Sequence, residues 1–473
     1  MQSCGEYKQC LHLGSLLPAP TSAPALADLP LDLAPLQDQT RQLIRLALKA
    51  GASDADAVVA TGRSRSVSVR NGVVEETESS ENDAFSLRVF VGQRVASVSA
   101  NRGADLNKLA KRAVAMARVA PENEFAGLAD PLQIAKQVQA LDLVDTANPE
   151  TTDLVDQAIA CEASALSVKG VTQSSGAGAS HSLGGTVLAA SNGFTGAFSG
   201  SRHSLSVSVV AQGASGMERD YDYDSQRYLE DLRQPDDIGL AAGRRAAERV
   251  NPKILDSQVL PVVFSPRMAR TIVGHMVAAL NGASVARKTS FLRDAMGKTA
   301  FADAITLTDD PYVARGLGSR PFDGEGVAGE PLHLIENGVV KNWLLDTSSA
   351  RQLGLVTNGR ASRSGSSTSP SASNLILVAG DQSPQAIMEE FGRCLYVTEL
   401  IGQGVDLVAG TYSRGASGFL MENGEALHPV SEITIAASLD DMFANLIIGD
   451  DLDMGHAIST PTLALEAMTI AGR

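Results

Sequence analysis

A zinc-dependent hydrolase needs neutral imidazoles and a third ligand on the metal, plus a carboxylate that takes a proton from bound water. A helix supplies two of the ligands by local spacing, about one turn apart. The seven histidines here are His12, His181, His203, His275, His333, His428 and His456, and no two lie within two helical turns of each other. Nothing local proposes a metal site; only distant residues brought together would make one. Gly324, Gly326 and Gly329 spell Gly-x-Gly-x-x-Gly. A dinucleotide fingerprint must follow a strand and open a helix, whereas here Pro321 precedes, Pro331 follows, and the next segment reads as a hairpin. No phosphate-binding loop and no Gly-x-Ser-x-Gly nucleophile elbow occurs. Asp450, Asp451 and Asp453 begin like a calcium loop, but the later ligands do not follow, so they read as an acidic turn. Tyr221, Asp222, Tyr223 and Asp224 alternate, which on a strand puts both tyrosines on one face and both carboxylates on the other. That pattern fits a plain strand edge or a contact with a peptide or partner. Arg414 lies in Tyr-Ser-Arg-Gly-Ala-Ser-Gly, where it either grips a carboxylate or braces a backbone turn.

Such residues need elements to position them. Asn-Gly pairs favour tight hairpin turns, because both residues readily take φ > 0. They occur at Asn71-Gly72, Asn192-Gly193, Asn337-Gly338 and Asn423-Gly424, so hairpins are expected in every third of the chain. Helices are expected around Leu43–Leu48, after Asp105 as N-cap, over 152–168 and over 237–250. Strands are expected around Val67–Val69 and Phe85–Val91 from their two-residue period. Residues 170–213 read as several short Ser/Gly-rich strands. A buried strand over 259–264 leads into a helix with Ser265 as N-cap, Pro266 at its first position, and Met268, Ile272, Met276 and Leu280 at helical spacing. Asn358–Asn374 is nearly devoid of apolar residues and reads as a mobile loop. The resulting class is α+β: an α/β N-terminal region with antiparallel hairpins and a β-rich C-terminal domain. The expected divisions are a disordered tail at 1–32, an N-terminal α/β domain at 33–120, a middle α/β region at 121–251 and the C-terminal domain at 252–473.

Composition narrows the partners. The 473 residues carry a formal charge of −15 and no Lys/Arg run, which argues against nucleic acid. Cys4, Cys10, Cys161 and Cys394 form no Cys-x-x-Cys pair, so neither a disulfide framework nor a zinc ribbon is indicated. No apolar run is long enough to cross a bilayer, and a cytoplasmic location fits best.

Tyr412–Ala436 (YSRGASGFLMENGEALHPVSEITIA) closely resembles the C-terminal block of the TldD/PmbA family. The same family is resembled by GASVARKTSFL (282–292), RPFDGEGV (320–327), VTELIGQGVD (397–406) and the terminal LEAMTIAGR. In the zinc-holding TldD-type subunit, the helix equivalent to 270–275 reads His-Glu-x-x-x-His. Here it reads Arg270, Thr271 and finally His275, and the tail after Gly455 lacks the TldD-type cysteine. A guanidinium offers no lone pair to a metal, and a threonine hydroxyl is no general base near neutral pH. The chain is therefore similar to the PmbA branch, also called TldE.

The resemblance implies a non-catalytic subunit of a TldD/TldE metallopeptidase that degrades or processes unfolded peptides. On that reading there is no cofactor in this chain, and zinc resides in a TldD-type partner. No catalytic or metal-ligating residue is expected here. His275, Tyr412 and Arg414 are the candidate contacts to a shared peptide cavity, with His275 alternatively a hydrogen-bonded, half-buried packing residue. A homodimer in the partner's absence stays open. The alternatives are a standalone peptide-binding or regulatory protein of the gyrase-modulator type, and an independent hydrolase.

Overall fold

The structure, a computed structural model, describes residues 31–101, 103–364 and 367–473. The tail expected at 1–32 lies, up to residue 30, outside the described residues, as do Cys4, Cys10 and His12. Helix α1 (Ala34–Lys49) is followed by β1 (Asp54–Arg70), β2 (Val73–Val91), β3 (Arg94–Asn101), α2 (Leu106–Val119) and α3 (Thr151–Leu166). Then come β4 (Val171–Ala190), β5 (Thr195–Gln212), β6 (Met217–Gln226) and α4 (Pro235–Glu248). The six strands form one antiparallel sheet in the order β3-β2-β1-β4-β5-β6. Because β1 pairs with β2 on one edge and β4 on the other, this sheet runs through both units expected at 33–120 and 121–251.

The several short strands expected over 170–213 are two long ones, of 20 and 18 residues. Serine and glycine do not break them, because their backbone groups are held on both edges by long neighbours. Odd-numbered residues of β1 share one face. At one end of that face α1 and α2 pack over Ala57, Val59, Leu87 and Val187. At the other end α3 and α4 pack over Val69, Ala179, Leu205 and Val207. On the opposite face, Phe322 of the C-terminal domain sits edge-on against Phe194 and Phe198, at 5.0 and 5.3 Å between ring centres.

The C-terminal domain begins with β7 (Gln258–Phe264) and α5 (Pro266–Ala279). Strand β7 lies parallel to Arg393–Ile401 and antiparallel to Leu463–Ala471. The latter pairs with Glu425–Ser438, which pairs with Thr411–Glu422, which returns to Arg393–Ile401. The ring of pairings closes, giving a barrel-like sheet without a free end. The α+β class expected from sequence is what the chain adopts.

One expectation is overturned. The described residues of 358–374 are not a loose loop: Ala361–Ser364 and Ser367–Pro370 pair as a hairpin, and Arg360, Ala361, Ser373 and Asn374 are buried. Its buried charges are met by carboxylates of other segments, in the Arg360–Asp309 and Arg363–Asp56 ion pairs, and Ser373 bonds to Asp309. A segment poor in apolar residues can thus be ordered when its charges are matched.

Candidate functional site

Helix α5 carries the positions singled out by sequence. Pro266 opens it, and Ser265 stands at the N-cap without a side-chain capping bond. Its core face buries Met268, Ala269, Ile272, Val273 and Met276. Arg270, Thr271, Gly274 and His275 are half-buried and share the other face. The Thr271 hydroxyl donates to the Met268 carbonyl at 2.7 Å, which ties it to its own helix.

His275 sits edge-on to Tyr412, 6.1 Å between ring centres. Burial lowers its pKa, and the Arg414 charge lowers it further, so the imidazole is neutral at pH 7. Among the described residues its buried Nε2 has no hydrogen-bond partner. Tyr412 is 1% exposed, and burial pushes its hydroxyl up to about 12 against the opposing effect of Arg414. These three candidates do come together. Arg270 does not join them. It points to a cavity of about 430 Å³ bounded by β6, α4 and α5, beside Tyr223 and Asp453. Burial depresses its guanidinium pKa, only partly offset by those two neighbours.

A divalent cation at His275 would meet the guanidinium of Arg414, the one charged group that acts on His275 among the described residues. Among the described residues no three His, Cys, Asp or Glu side chains converge into a metal-holding set. The residues on this face therefore do not fit zinc.

The RPFDGEGV block serves structure. The Asp323 carboxylate accepts backbone bonds from Glu325, Val327 and Ala361, and Glu325 accepts from Arg88 and from the Thr347 backbone. Gly324 and Gly326 sit in a turn, Gly326 at φ +80° against the Phe194 ring, and no helix follows. The block locks the barrel-bearing domain to the six-stranded sheet.

Three profiles of one metallopeptidase family match: PmbA/TldA domain 1 over residues 55–117, the central domain over 145–250 and the C-terminal domain over 257–472. The metalloprotease PmbA of Escherichia coli O157:H7 is 36% identical over 436 residues, 90% of this chain and 94% of the relative. This chain belongs to the PmbA/TldD metallopeptidase family. A Bacteroides thetaiotaomicron protein described as a candidate modulator of DNA gyrase superposes with a TM-score of 0.86 at 26% identity, covering 93% of this chain and 99% of that one. TldE of Thermococcus kodakarensis shares the fold, with a TM-score of 0.80 at 20% identity over 91% and 99% of the two chains.

The cavity beside Arg270 escaped the reading of the sequence. Its walls come from β6, α4, α5 and the segment around His456, separated along the chain by up to more than two hundred residues. One local signal pointed toward it, the Tyr-Asp alternation of β6. The alternation itself is realised. Asp220, Asp222 and Asp224 are buried, while Tyr221 and Tyr223 are exposed on the other face.

Proposed function

We propose that this chain is the PmbA/TldE-type subunit of a heteromeric TldD/TldE zinc metallopeptidase acting on unfolded or short peptides. The observation that carries the reading is the α5 face. Where the TldD-type motif has an imidazole and a carboxylate, this helix presents Arg270 and a Thr271 hydroxyl tied to the Met268 carbonyl. His275 remains, but neutral, against Tyr412, with a guanidinium as its nearest charge. The chain contributes cavity wall and half of an interface; zinc, base and cleavage belong to a TldD-type partner. Cytoplasmic residence is part of the same proposal, and among the described residues no helix is long and apolar enough to cross a membrane.

The test is digestion of an unstructured peptide by the purified chain alone, by a TldD-type partner with it, and by the mixture after chelation. Cleavage is expected only in the mixture, with stoichiometric zinc there and none held by the single chain. Zinc uptake with cleavage by the single chain would overturn the reading in favour of an independent hydrolase. The regulatory alternative draws on the gyrase-modulator description of the Bacteroides relative. It predicts no stable one-to-one complex with a TldD-type protein on co-purification.

A further inference from the structure

We propose that the cavity beside Arg270 binds the free C-terminal carboxylate of a peptide. The inference deepens the peptide-handling reading above and rests on it for the nature of the ligand.

Five arginines line this cavity, and four of them stand in ion pairs with carboxylates of this chain. Arg233 and Arg245 both pair with Asp222, at 2.9 and 3.0 Å. Arg249 and Arg267 both pair with Asp220, at 3.0 and 2.9 Å. Arg270 is the exception: among the described residues no carboxylate lies within 4.0 Å of its guanidinium, its Nε is buried without a hydrogen-bond partner, and its charge is offset only in part, by a hydrogen bond with Tyr223 and by the more distant Asp453. A half-buried cation without an ion-pair partner is costly, and an anion from outside relieves that cost.

The surroundings choose the anion. Arg270 is the one guanidinium of this wall without an ion pair, and its planar fork matches a carboxylate through two parallel bonds. A phosphate dianion would bring a second charge toward Asp220, Asp222 and Asp453, which already face the cavity. The remaining wall includes the rings of Tyr223, Tyr396 and Phe419, suited to an apolar side chain next to the carboxylate. A second hollow of about 350 Å³ shares His456 as its wall. It offers room for the residues that precede the terminus. A carboxylate beside an apolar side chain at the end of a longer chain is the last residue of a peptide.

The experiment compares two ligands on the full-length chain by calorimetry near pH 7.5 and low salt: an N-acetylated tripeptide ending in phenylalanine, as free acid and as C-terminal amide. The free acid is expected to bind about tenfold tighter or better, the scale of one charge-assisted bidentate pair. In Arg270→Gln, checked by circular dichroism for folding, that preference should vanish, and Arg270→Lys should keep part of it. Equal binding of acid and amide by the unaltered chain, or binding of neither, overturns the proposal without needing any variant. So does displacement of the acid by inorganic phosphate at lower concentration than by acetate, which would make this a phosphate site. Pairing with a TldD-type partner is read separately by co-purification, so failure of the subunit reading and failure of this site are distinguishable.

Discussion

Arg360 and Arg270 show how differently one residue type behaves once its charge is matched or left open. Arg360 is fully buried, and its guanidinium pairs with the Asp309 carboxylate. It also donates to the carbonyls of Asn358 at 2.9 Å, Asp309 at 3.1 Å and Glu330 at 2.6 Å. The second oxygen of Asp309 accepts from the backbone and hydroxyl of Ser373 at 2.6 and 3.0 Å. Removing one partner of such a set strands the other charge, a loss of about 3–5 kcal/mol. Arg360→Met should lower unfolding stability by that amount in urea titration, while an exposed arginine such as Arg293 changed the same way should cost less than about 1 kcal/mol. The sequence concealed this, because Arg360 and Asp309 lie 51 positions apart and the hydrogen-bonded set has no local signature. The substitutions at 270 and 271 were legible, because a ligand's chemistry is written in its residue type. That Arg270 would face Tyr223 rather than His275's neighbours was not.

Among the elements, helix α4 was legible in outline but not in purpose. Pro235, Asp236 and Asp237 open it as helix-start chemistry requires, and Asn251, at φ +58°, stands just beyond its end. Propensity alone counts its two glycines, Gly239 and Gly243, as weak points, since glycine is about 1 kcal/mol worse than alanine inside a helix. The packing outweighs propensity. A Cβ on Gly239 would stand 2.3 Å from the Cys161 carbonyl and 2.8 Å from the Ser164 side chain of α3. One on Gly243 would stand 2.6 Å from Val168 and 2.7 Å from the Ala165 carbonyl. The glycines let the two helices touch backbone to backbone. Gly239→Ala should therefore destabilise by about 1–3 kcal/mol despite the better propensity, as overpacking does; a gain in thermal midpoint would contradict the close approach. The same contact seals Cys161, whose thiol burial pushes up to about 12. It should resist iodoacetamide in the folded chain and react once Gly239→Ala loosens the pair. Turns were more legible than helix contacts. Asn71, Asn337 and Asn423 take φ of 53°, 48° and 50°, each followed by a glycine with positive φ, as two-residue hairpin turns demand. The strand lengths were not readable, because alternation weakens where serine and glycine fill the polar face.

At the scale of the molecule, the long sheet carries its two helix pairs on one face and leaves a gap between them, and that gap is where two histidines stack. His181 and His203 are cross-strand partners on β4 and β5, with ring centres 4.6 Å apart, 5% and 1% exposed. Asp145 meets His203 Nε2 at 3.0 Å, and the backbone of Ala147 and Leu229 donates to the same carboxylate. Among the described residues His181 Nε2 has no hydrogen-bond partner, and Asp145 opposes its loss of charge only weakly. Burial, then the neighbouring His203, then Arg65 and Arg63 lower its pKa from 6.5 to about 4. Burial lowers His203 as well, opposed by Asp145. The sign follows from proton counting. Between pH 6.5 and about 4 the unfolded chain takes up a proton at residue 181 and the folded chain does not. Acid therefore favours unfolding across this window, and the effect levels off below it. One group shifted this far contributes on the order of 1–3 kcal/mol of lost stability by the bottom of the window. Because β1 and β4 run under both helix pairs, the loss should appear as one cooperative transition of residues 31–250 rather than as fraying of one end. Urea titrations between pH 7.5 and 4.5 should show the midpoint falling with acid, and His181→Phe, which keeps a ring against His203 but cannot titrate, should flatten that slope. An unchanged slope in a folded His181→Phe variant would place the acid sensitivity elsewhere, in the carboxylates that the other ion pairs hold.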